Sequence, residues 1–228
     1  MTDDSHALAN FSGLVRLFPL PNVVLFPHVV QPLHVFEPRY RQLTADTLAG
    51  DQLLAMALLR PGWEEDYEGR PALYSVACLG RIVAHKRLAD GRYIILLRGL
   101  GRIRLGEETE GEKLYRTARA ELLSDVPSLS LDDARQIRGR LGELVMARFS
   151  GPDDERKQLQ EMLEGDVAIG PLCDHLCYRF PLPLESKQQF LEEIDVGVRA
   201  RRLLEMLEGM TETLTAEPRK FPPDFSVN

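Results

Sequence analysis

The chain has 228 residues, enough for one large domain or two small ones, and its 44% hydrophobic and 28% charged residues are ordinary for a globular protein. A formal net charge of −7 argues against a basic nucleic-acid-binding domain. No apolar run reaches the roughly 18 residues of a membrane span, and the polar N-terminus lacks the features of a secretory signal. Three widely spaced cysteines do not form a disulfide framework. A cytoplasmic location without a membrane segment is therefore expected.

The first predicted element is an extended apolar segment from Leu17 to Tyr40. Its five prolines are Pro19, Pro21, Pro27, Pro32 and Pro38. Proline lacks a backbone N–H, so it cannot lie inside a fully paired central strand, and it forces the preceding residue into an extended conformation. The segment is nevertheless too apolar for a solvated loop. It therefore predicts the spine of a bent sheet or barrel, with turns at Pro21-Asn22 and at residues 26–28.

A helix is predicted directly after this segment, from Pro38 to about Ala49. Proline suits the first turn of a helix, where its missing N–H is not needed. The residues that recur at helical spacing are Tyr40, Leu43, Thr47 and Leu48. Gly50 then occupies the position just past the C-terminus, where glycine is favoured.

Further β-structure is predicted as far as residue 125. The apolar run at 53–60 predicts a buried strand, and the polar stretch at 61–74, which carries the single tryptophan, predicts a loop. Ala89-Asp90-Gly91 predicts a hairpin turn between residues 82–88 and 92–98, with Gly91 at positive φ. Gly99 and Gly101 indicate a bulge or bend that splits the second arm into two strands. Alternation at 114–123 predicts the last strand.

From Leu129 onwards the pattern becomes helical. Ser130 followed by Asp133 resembles a capping box with Asp in place of Glu, and the helix that it begins is predicted to reach Phe149. The further helices are predicted at 153–164, 166–179, 184–194 and 196–214. The whole chain is therefore predicted to be α+β, with a β-rich part at 1–125, a helical bundle at 126–216 and a loose tail at 217–228.

Three stretches of the sequence resemble one known family in the same order. They are FPLPNVVLFPHVVQPLHVFEPRYRQL (18–43), the hairpin LGRIVAHKRLADGRYIILLRGLGRIRL (79–105) and the helical segment at 172–207. The chain resembles the LON substrate-binding domain, the N-terminal domain of Lon proteases of peptidase family S16, over residues 14–208. The resemblance implies a PUA-like pseudo-barrel with one packed helix, followed by helices, and a role in polypeptide recognition.

The sequence contains none of the catalytic motifs that a complete Lon-type enzyme requires. It has no G-x-x-x-x-G-K-[ST] phosphate loop and no G-x-S-x-G elbow, and the adjacent Ser186 and Lys187 cannot face each other as a dyad. We therefore expect a non-enzymatic chain with no catalytic residue, no cofactor and no ATPase or peptidase activity.

Cys173 and Cys177 are four residues apart and share one face of a predicted helix. His175 points to another face, and no second Cys/His pair completes a tetrahedral metal site, so no metal is predicted. Burial of both cysteines in the helical core is the favoured interpretation. A redox-sensitive pair remains the alternative.

Six residues are candidates for polypeptide binding. They are Phe36, Glu37, Arg39, Tyr40, Trp63 and Tyr67. The first four form the corner at the start of the predicted helix, where Glu37 and Arg39 could instead form only a local ion pair. Trp63 and Tyr67 lie in the acidic loop and are either exposed aromatic contacts or folded back over the barrel.

The expected function is a stand-alone, non-catalytic module that binds unfolded or extended polypeptide in protein quality control or as an adaptor, with a protease or chaperone as a further partner. Two alternatives stay open, a PUA-like RNA-binding protein and a scaffold for one folded partner. Nucleic acid is disfavoured because residues 1–125 carry 15 Lys and Arg against 16 Asp and Glu, a net charge of −1. Residues 126–228 carry 13 against 19, a net charge of −6.

Overall fold

The computed structural model of the chain describes residues 3–67 and 69–210. These residues form two compact units, a β-rich unit that ends at Leu123 and a helical unit that begins at Ser124. The architecture is mixed α+β, which confirms the predicted fold class. The tail predicted at residues 217–228 lies outside the described residues.

Six strands form the sheet of the β-rich unit. They are β1 (Leu14–Leu20), β2 (Val30–Val35), β3 (Leu53–Leu58), β4 (Val76–Arg87), β5 (Tyr93–Thr109) and β6 (Thr117–Leu123). Their order is β2-β5-β4-β3-β1-β6, and an additional pairing between β5 and β6 closes five of them into a barrel. The β1–β3 pair is parallel and the other pairs are antiparallel. This closure is the predicted pseudo-barrel.

The long strand β5 makes the closure possible. Its first half pairs with β2 and β4, and its second half pairs with β4 and β6. Gly101 lies opposite Leu79 and Gly99 lies opposite Gly80, so Leu100 is an extra residue in a β-bulge. The prediction of a bulge is confirmed, but the prediction of two separate strands is wrong. A bulge bends and twists a strand without ending its ladder, so one continuous strand can serve both sides of the barrel.

The proline-rich segment crosses β5 at Gly99. His28 N donates to Gly99 O at 2.8 Å, and Gly99 N donates to Val29 O at 2.8 Å. A side chain at Gly99 would collide with the backbone carbonyl of Phe26. The predicted turn at 26–28 is present, with His28 at φ 66°. The glycine therefore permits a close backbone approach that any other residue would prevent.

The interior of the barrel is filled by small and medium apolar side chains. The residues of this core are Val15, Leu17, Leu53, Ala55, Ala57, Ala77, Leu79, Leu100, Ile103, Ala118 and Ala120. A short helix, α1 (Asp3–Ala9), which the sequence did not predict, packs Leu8 against this core. Asp4 of this helix forms ion pairs with Arg81 at 3.0 Å and with Arg98 at 3.2 Å.

The helix between β2 and β3 has the predicted bounds. This helix, α2, runs Pro38–Ala49 and buries Tyr40, Leu43 and Thr47. The β4–β5 hairpin is antiparallel, and Gly91 in its turn has φ 81°. Both features follow from local chemistry, because proline fixes φ at the first helical turn and glycine permits positive φ in the hairpin.

Between Ser124 and residue 210, five helices form the second unit. They are α3 (Leu131–Arg148), α4 (Asp153–Glu164), α5 (Ile169–Arg179), α6 (Leu184–Glu192) and α7 (Val196–Gly209). Ser130 is the N-cap of α3, and its Oγ accepts a hydrogen bond from Asp133 N at 3.1 Å, as predicted. Helix α5 begins three residues later than predicted and α6 ends two residues earlier. The predicted extension of α7 beyond residue 210 lies outside the described residues.

A buried arginine lies at the centre of the helical unit. Arg199 of α7 is fully buried and forms ion pairs with Asp125 and with Asp174, which is itself 1% exposed. Its Nη1 also donates to Glu193 O at 2.6 Å. Because Asp125 lies in the segment that precedes α3, the arginine attaches that segment to α5 and α7.

Candidate polypeptide-binding pocket

A pocket of about 330 Å³ lies on the β-rich unit, within the size range of small ligand pockets. Five segments build it: the first turn of α2, the end of β1, the residue after β3, the loop at 61–72 and the link at 113–116. The described residues that line it are Pro19, Arg39, Tyr40, Leu59, Tyr67, Gly69, Arg70, Pro71, Lys113, Leu114, Tyr115 and Arg116.

Three tyrosine rings form walls of the pocket, and each hydroxyl is held by the protein. Tyr40 Oη donates to the backbone carbonyl near the end of β1 at 2.8 Å. Tyr67 Oη donates to Glu37 Oε1 at 2.9 Å, and Tyr115 Oη donates to Asp46 Oδ2 at 2.8 Å. The hydroxyl groups are thus engaged and the rings are fixed in position before any ligand arrives.

These hydroxyls stay protonated over the physiological pH range. Burial raises the pKa of Tyr40, Tyr67 and Tyr115. The nearby carboxylates of Glu37 and Asp46 raise the pKa of Tyr67 and Tyr115 further, because a second negative charge beside each carboxylate is unfavourable. The tyrosine walls are therefore neutral aromatic surfaces.

Arg39 joins two of these rings. Its Cζ lies 4.8 Å from the centroid of the Tyr40 ring and 4.7 Å from that of the Tyr67 ring, which are cation–π distances. Its Nε donates to Glu37 Oε2 at 2.9 Å, and its Nη1 donates to Tyr67 O at 3.1 Å. The start of α2 and the 61–72 loop are thereby held together.

The link at 113–116 is anchored to α2 and to the loop. Lys113 Nζ lies 2.8 Å from Asp46 Oδ2, and Leu114 N donates to Gln42 Oε1 at 2.8 Å. The hydrogen bonds from Lys113 and Tyr115 lower the pKa of Asp46. Leu114 itself remains 62% exposed at the pocket.

Arg116 makes the contact between the link and the loop. It forms a bidentate ion pair with Glu108 and donates from Nη1 to Pro71 O at 2.8 Å. The Arg116 hydrogen bonds hold the pKa of Glu108 below its usual value. Arg70 also faces Glu108, at a longer separation of 3.7 Å.

Residues 15–209 match the family model described as the ATP-dependent protease La (LON) substrate-binding domain. The chain belongs to this family. Lon protease 2 of Sorangium cellulosum is 32% identical over 213 residues, and Lon protease 2 of Myxococcus xanthus is 28% identical over 201 residues. Both alignments cover 88% of this chain but only 25% and 24% of the relative, so the chain spans about a quarter of the length of these curated relatives.

Solved structures show the same fold for the LON domain. The N-terminal domain of the Mycobacterium avium complex Lon protease has a TM-score of 0.67 at 18% identity, covering 86% of this chain and 98% of that domain. The Lon N-terminal domain protein from Xanthomonas campestris has a TM-score of 0.59 at 24% identity, covering 84% of this chain and 97% of that one. The predicted family and fold are therefore confirmed.

The structure gathers most of the six predicted site residues of the LON domain around the pocket. Arg39, Tyr40 and Tyr67 line it, and Glu37 bonds to two of them. Trp63 packs edge-on against Tyr67, with ring centroids 5.4 Å apart, so these two aromatics are folded together rather than separately exposed.

Phe36 lies apart from the described lining of the pocket. It is 43% exposed, and its ring centroid lies 6.1 Å from that of His34 on β2. Trp63 also lies outside the described lining, and its ring packs against that of the lining residue Tyr67.

The sequence did not predict that the link at 113–116 lines the pocket. Residues 114–116 were assigned to the last strand, but β6 begins at Thr117, and the preceding residues form the link that lines the pocket. One signal was available, because the apolar Leu114 and the aromatic Tyr115 follow the polar run at 107–113. Arg70 and Pro71 carried no such signal.

The cysteines of α5 belong to the helical core. Cys173 and Cys177 are fully buried, which confirms the favoured interpretation. His175 turns elsewhere, with Nδ1 2.9 Å from Pro171 O. None of the three cysteines of the chain forms a disulfide. Within the described residues, no helix has the length and apolar character needed to cross a membrane.

Proposed function

We propose that this LON domain is a cytoplasmic, non-catalytic module that binds unfolded or extended polypeptide. Membership of the substrate-binding family supports a binding role, since the match lies in that part of the Lon proteases. We further propose that it serves protein quality control, or acts as an adaptor that brings polypeptide to a protease or chaperone. The free, buried cysteines are in keeping with a reducing compartment.

The observation that carries the proposal is a pocket lined by the half-buried Tyr67 ring and by Leu114, which is 62% exposed, with the buried Tyr40 and Tyr115 also in its lining. Tyrosine offers a large contact area and has few rotatable bonds, so little conformational entropy is lost when a ligand packs against it. Leu59 also lines the pocket but is buried. Such a surface suits an apolar side chain of an extended segment.

Charge makes RNA the weaker candidate. Each of the four cations that line the pocket already faces a carboxylate within the β-rich unit: Arg39 faces Glu37, Arg70 and Arg116 face Glu108, and Lys113 faces Asp46. Phosphate binding gains most of its affinity from cations that release counterions. Of the four, only Arg70 and Lys113 have side chains that are more than half exposed, which is fewer cations than a nucleic-acid backbone engages.

The test is fluorescence anisotropy with a labelled, unfolded, uncharged apolar peptide at low and high salt. We expect a Kd in the micromolar range, about −8 kcal/mol, and little change with salt because apolar burial is not screened. Tyr67→Ala should weaken binding by about tenfold, as expected for loss of an aromatic anchor. Tyr67→Phe keeps the ring and should bind nearly as well.

Leu131→Ala is the matched control, because Leu131 is 78% exposed and belongs to the helical unit. It should leave the affinity unchanged. Absence of peptide binding would refute the proposed function. Salt-sensitive binding of a labelled RNA in its place would favour the PUA-like alternative, and binding of neither would favour a scaffold for one folded partner.

A further inference from the structure

The pocket is locally cationic, although the chain carries a formal net charge of −7. Its lining holds four cations and, among the described residues, no carboxylate. The carboxylates paired with these cations are Glu37, Asp46 and Glu108. Asp66 of the loop, which also does not line the pocket, accepts from Arg70 N at 3.2 Å, so four carboxylates lie beside the four cations and only the lining itself is cationic.

The four cations differ in their capacity for another partner. Arg39 and Arg116 each donate hydrogen bonds from two or more N–H groups to protein acceptors. Both are largely enclosed, with 19% and 12% of their side chains exposed. Arg70 approaches Glu108 only at 3.7 Å, longer than a hydrogen bond, and its side chain is 55% exposed. Lys113 pairs with Asp46 and is 54% exposed, and an ammonium group has three donors.

We propose that the pocket selects polypeptide segments in which a carboxylate lies next to a bulky apolar residue. This inference rests on the proposed function and names the class of segment that it favours. The apolar side chain packs against the half-buried Tyr67 ring and the exposed Leu114. The neighbouring carboxylate accepts charge-assisted hydrogen bonds from Arg70 and Lys113 at the rim.

The positions and the chemistry of the lining residues both support separate roles for the aromatic rings and for the two exposed cations. The rings have their hydroxyls engaged with the protein, so they offer apolar faces and little polar recognition. Arg70 and Lys113 are the two lining cations whose side chains are more than half exposed. A basic segment would instead meet these two like charges, which disfavours it.

The experiment compares three short unfolded peptides, two of which carry one carboxylate and one of which carries none. The first is amidated and has Asp beside Phe, the second is its amidated Asn analogue, and the third is the Asn analogue with a free C-terminal acid beside Phe. We expect a peptide with a carboxylate to bind about tenfold more tightly than the amidated Asn peptide, as expected for a hydrogen bond to a charged group. That advantage should shrink as salt rises.

Substitutions of Arg70 and Lys113 test whether these two cations cause the preference for a carboxylate. Arg70→Gln and Lys113→Gln should each reduce the carboxylate advantage to about threefold or less, and Arg70→Lys should retain most of it. Both side chains are more than half exposed, so these substitutions spare the fold. Lys157→Gln, at a side chain that is 78% exposed on α4, is the control and should leave the preference unchanged.

The outcomes separate the two proposals. Tighter binding of either acid-bearing peptide supports the inference and identifies whether the carboxylate is a side chain or a C-terminus. Equal binding of all three peptides overturns the charge preference and leaves polypeptide binding intact. Binding of none of the peptides overturns both proposals. If the carboxylate advantage persists in both the Arg70→Gln and the Lys113→Gln variants, the carboxylate binds elsewhere and the inference is also overturned.

Discussion

Arg39 forms the local ion pair with Glu37 and also lines the pocket. Its position beside Glu37 allowed either a local ion pair at the start of a helix or one edge of a binding groove. The ion pair is present at 2.9 Å, and the same guanidinium lies against two tyrosine rings of the pocket. Local stabilisation and pocket construction are therefore carried by one side chain.

The acid sensitivity of the β-rich unit can be predicted from Glu108. Its pKa in the folded protein lies below the ordinary glutamate value of about 4.5, chiefly because Arg116 donates hydrogen bonds to it. A lowered folded-state pKa contributes stability that is fully present above pH 4.5 and is lost as the pH falls through the folded-state pKa. We expect the free energy of unfolding in urea to fall below about pH 4.5, and to fall less steeply in Glu108→Gln.

Glu143→Gln is the control for this measurement. Glu143 is 70% exposed in an i,i+3 pair with Arg140, a type of pair that contributes little to stability. Its pH profile should follow that of the unaltered protein. A Glu108→Gln profile that also runs parallel to the unaltered one would show that Arg116 does not couple Glu108 to folding.

Among the elements, β5 decides the shape of the β-rich unit. It pairs with three other strands along its length, and the bulge at Leu100 lets it change partner. The two glycines that flank the bulge have different surroundings. A side chain at Gly99 meets the Phe26 carbonyl, whereas one at Gly101 would lie 3.7 Å from the Leu8 side chain, an ordinary contact.

The two glycines therefore make a matched pair for mutagenesis. Gly99→Ala should destabilise the β-rich unit by about 1–3 kcal/mol or more, because the backbone of the proline-rich segment must move away. Gly101→Ala should change the stability by less than about 1 kcal/mol. Urea unfolding followed by circular dichroism gives both values. Equal effects at the two positions would contradict the close backbone approach at Gly99.

At the scale of the whole chain, we propose that the β-rich and helical parts predicted at 1–125 and 126–216 are separate cooperative units. The contact pattern that divides the described chain at residues 123 and 124 supports this proposal. The difference in net charge between the two parts of the sequence supports it as well. In the helical unit, Arg199 pairs with two carboxylates, one from the segment before α3 and one from α5.

Arg199→Met tests this division. The substitution removes the cation beside the buried Asp174 carboxylate, and losing one partner of a buried ion pair costs about 3–5 kcal/mol. Hydrogen exchange measured by mass spectrometry should show faster exchange in α3, α5 and α7, with unchanged protection in the barrel. Arg135→Met is the control, since Arg135 is 77% exposed in an i,i+3 pair. Equal loss of protection in the barrel would mean that the chain unfolds as one unit.

The sequence by itself determined the features that depend on neighbouring residues. The five prolines dictate an extended segment with bends, Gly91 permits the positive φ of the hairpin turn, and Pro38 and Ser130 begin helices at the observed residues. Each of these effects is steric or involves a hydrogen bond within four residues along the chain. Such effects act in the same way whatever the rest of the fold does.

Only the tertiary structure decided the pocket and the helix α1. Arg39, Tyr67 and Tyr115 come together because α2, the 61–72 loop and the 113–116 link all pack at one place on the β-rich unit. Helix α1 is short and polar, and it is held by Leu8 on the core and by the ion pairs of Asp4. A seven-residue helix has too little free energy of its own to form in water, so its stability, like the pocket, comes from contacts between residues far apart in the sequence.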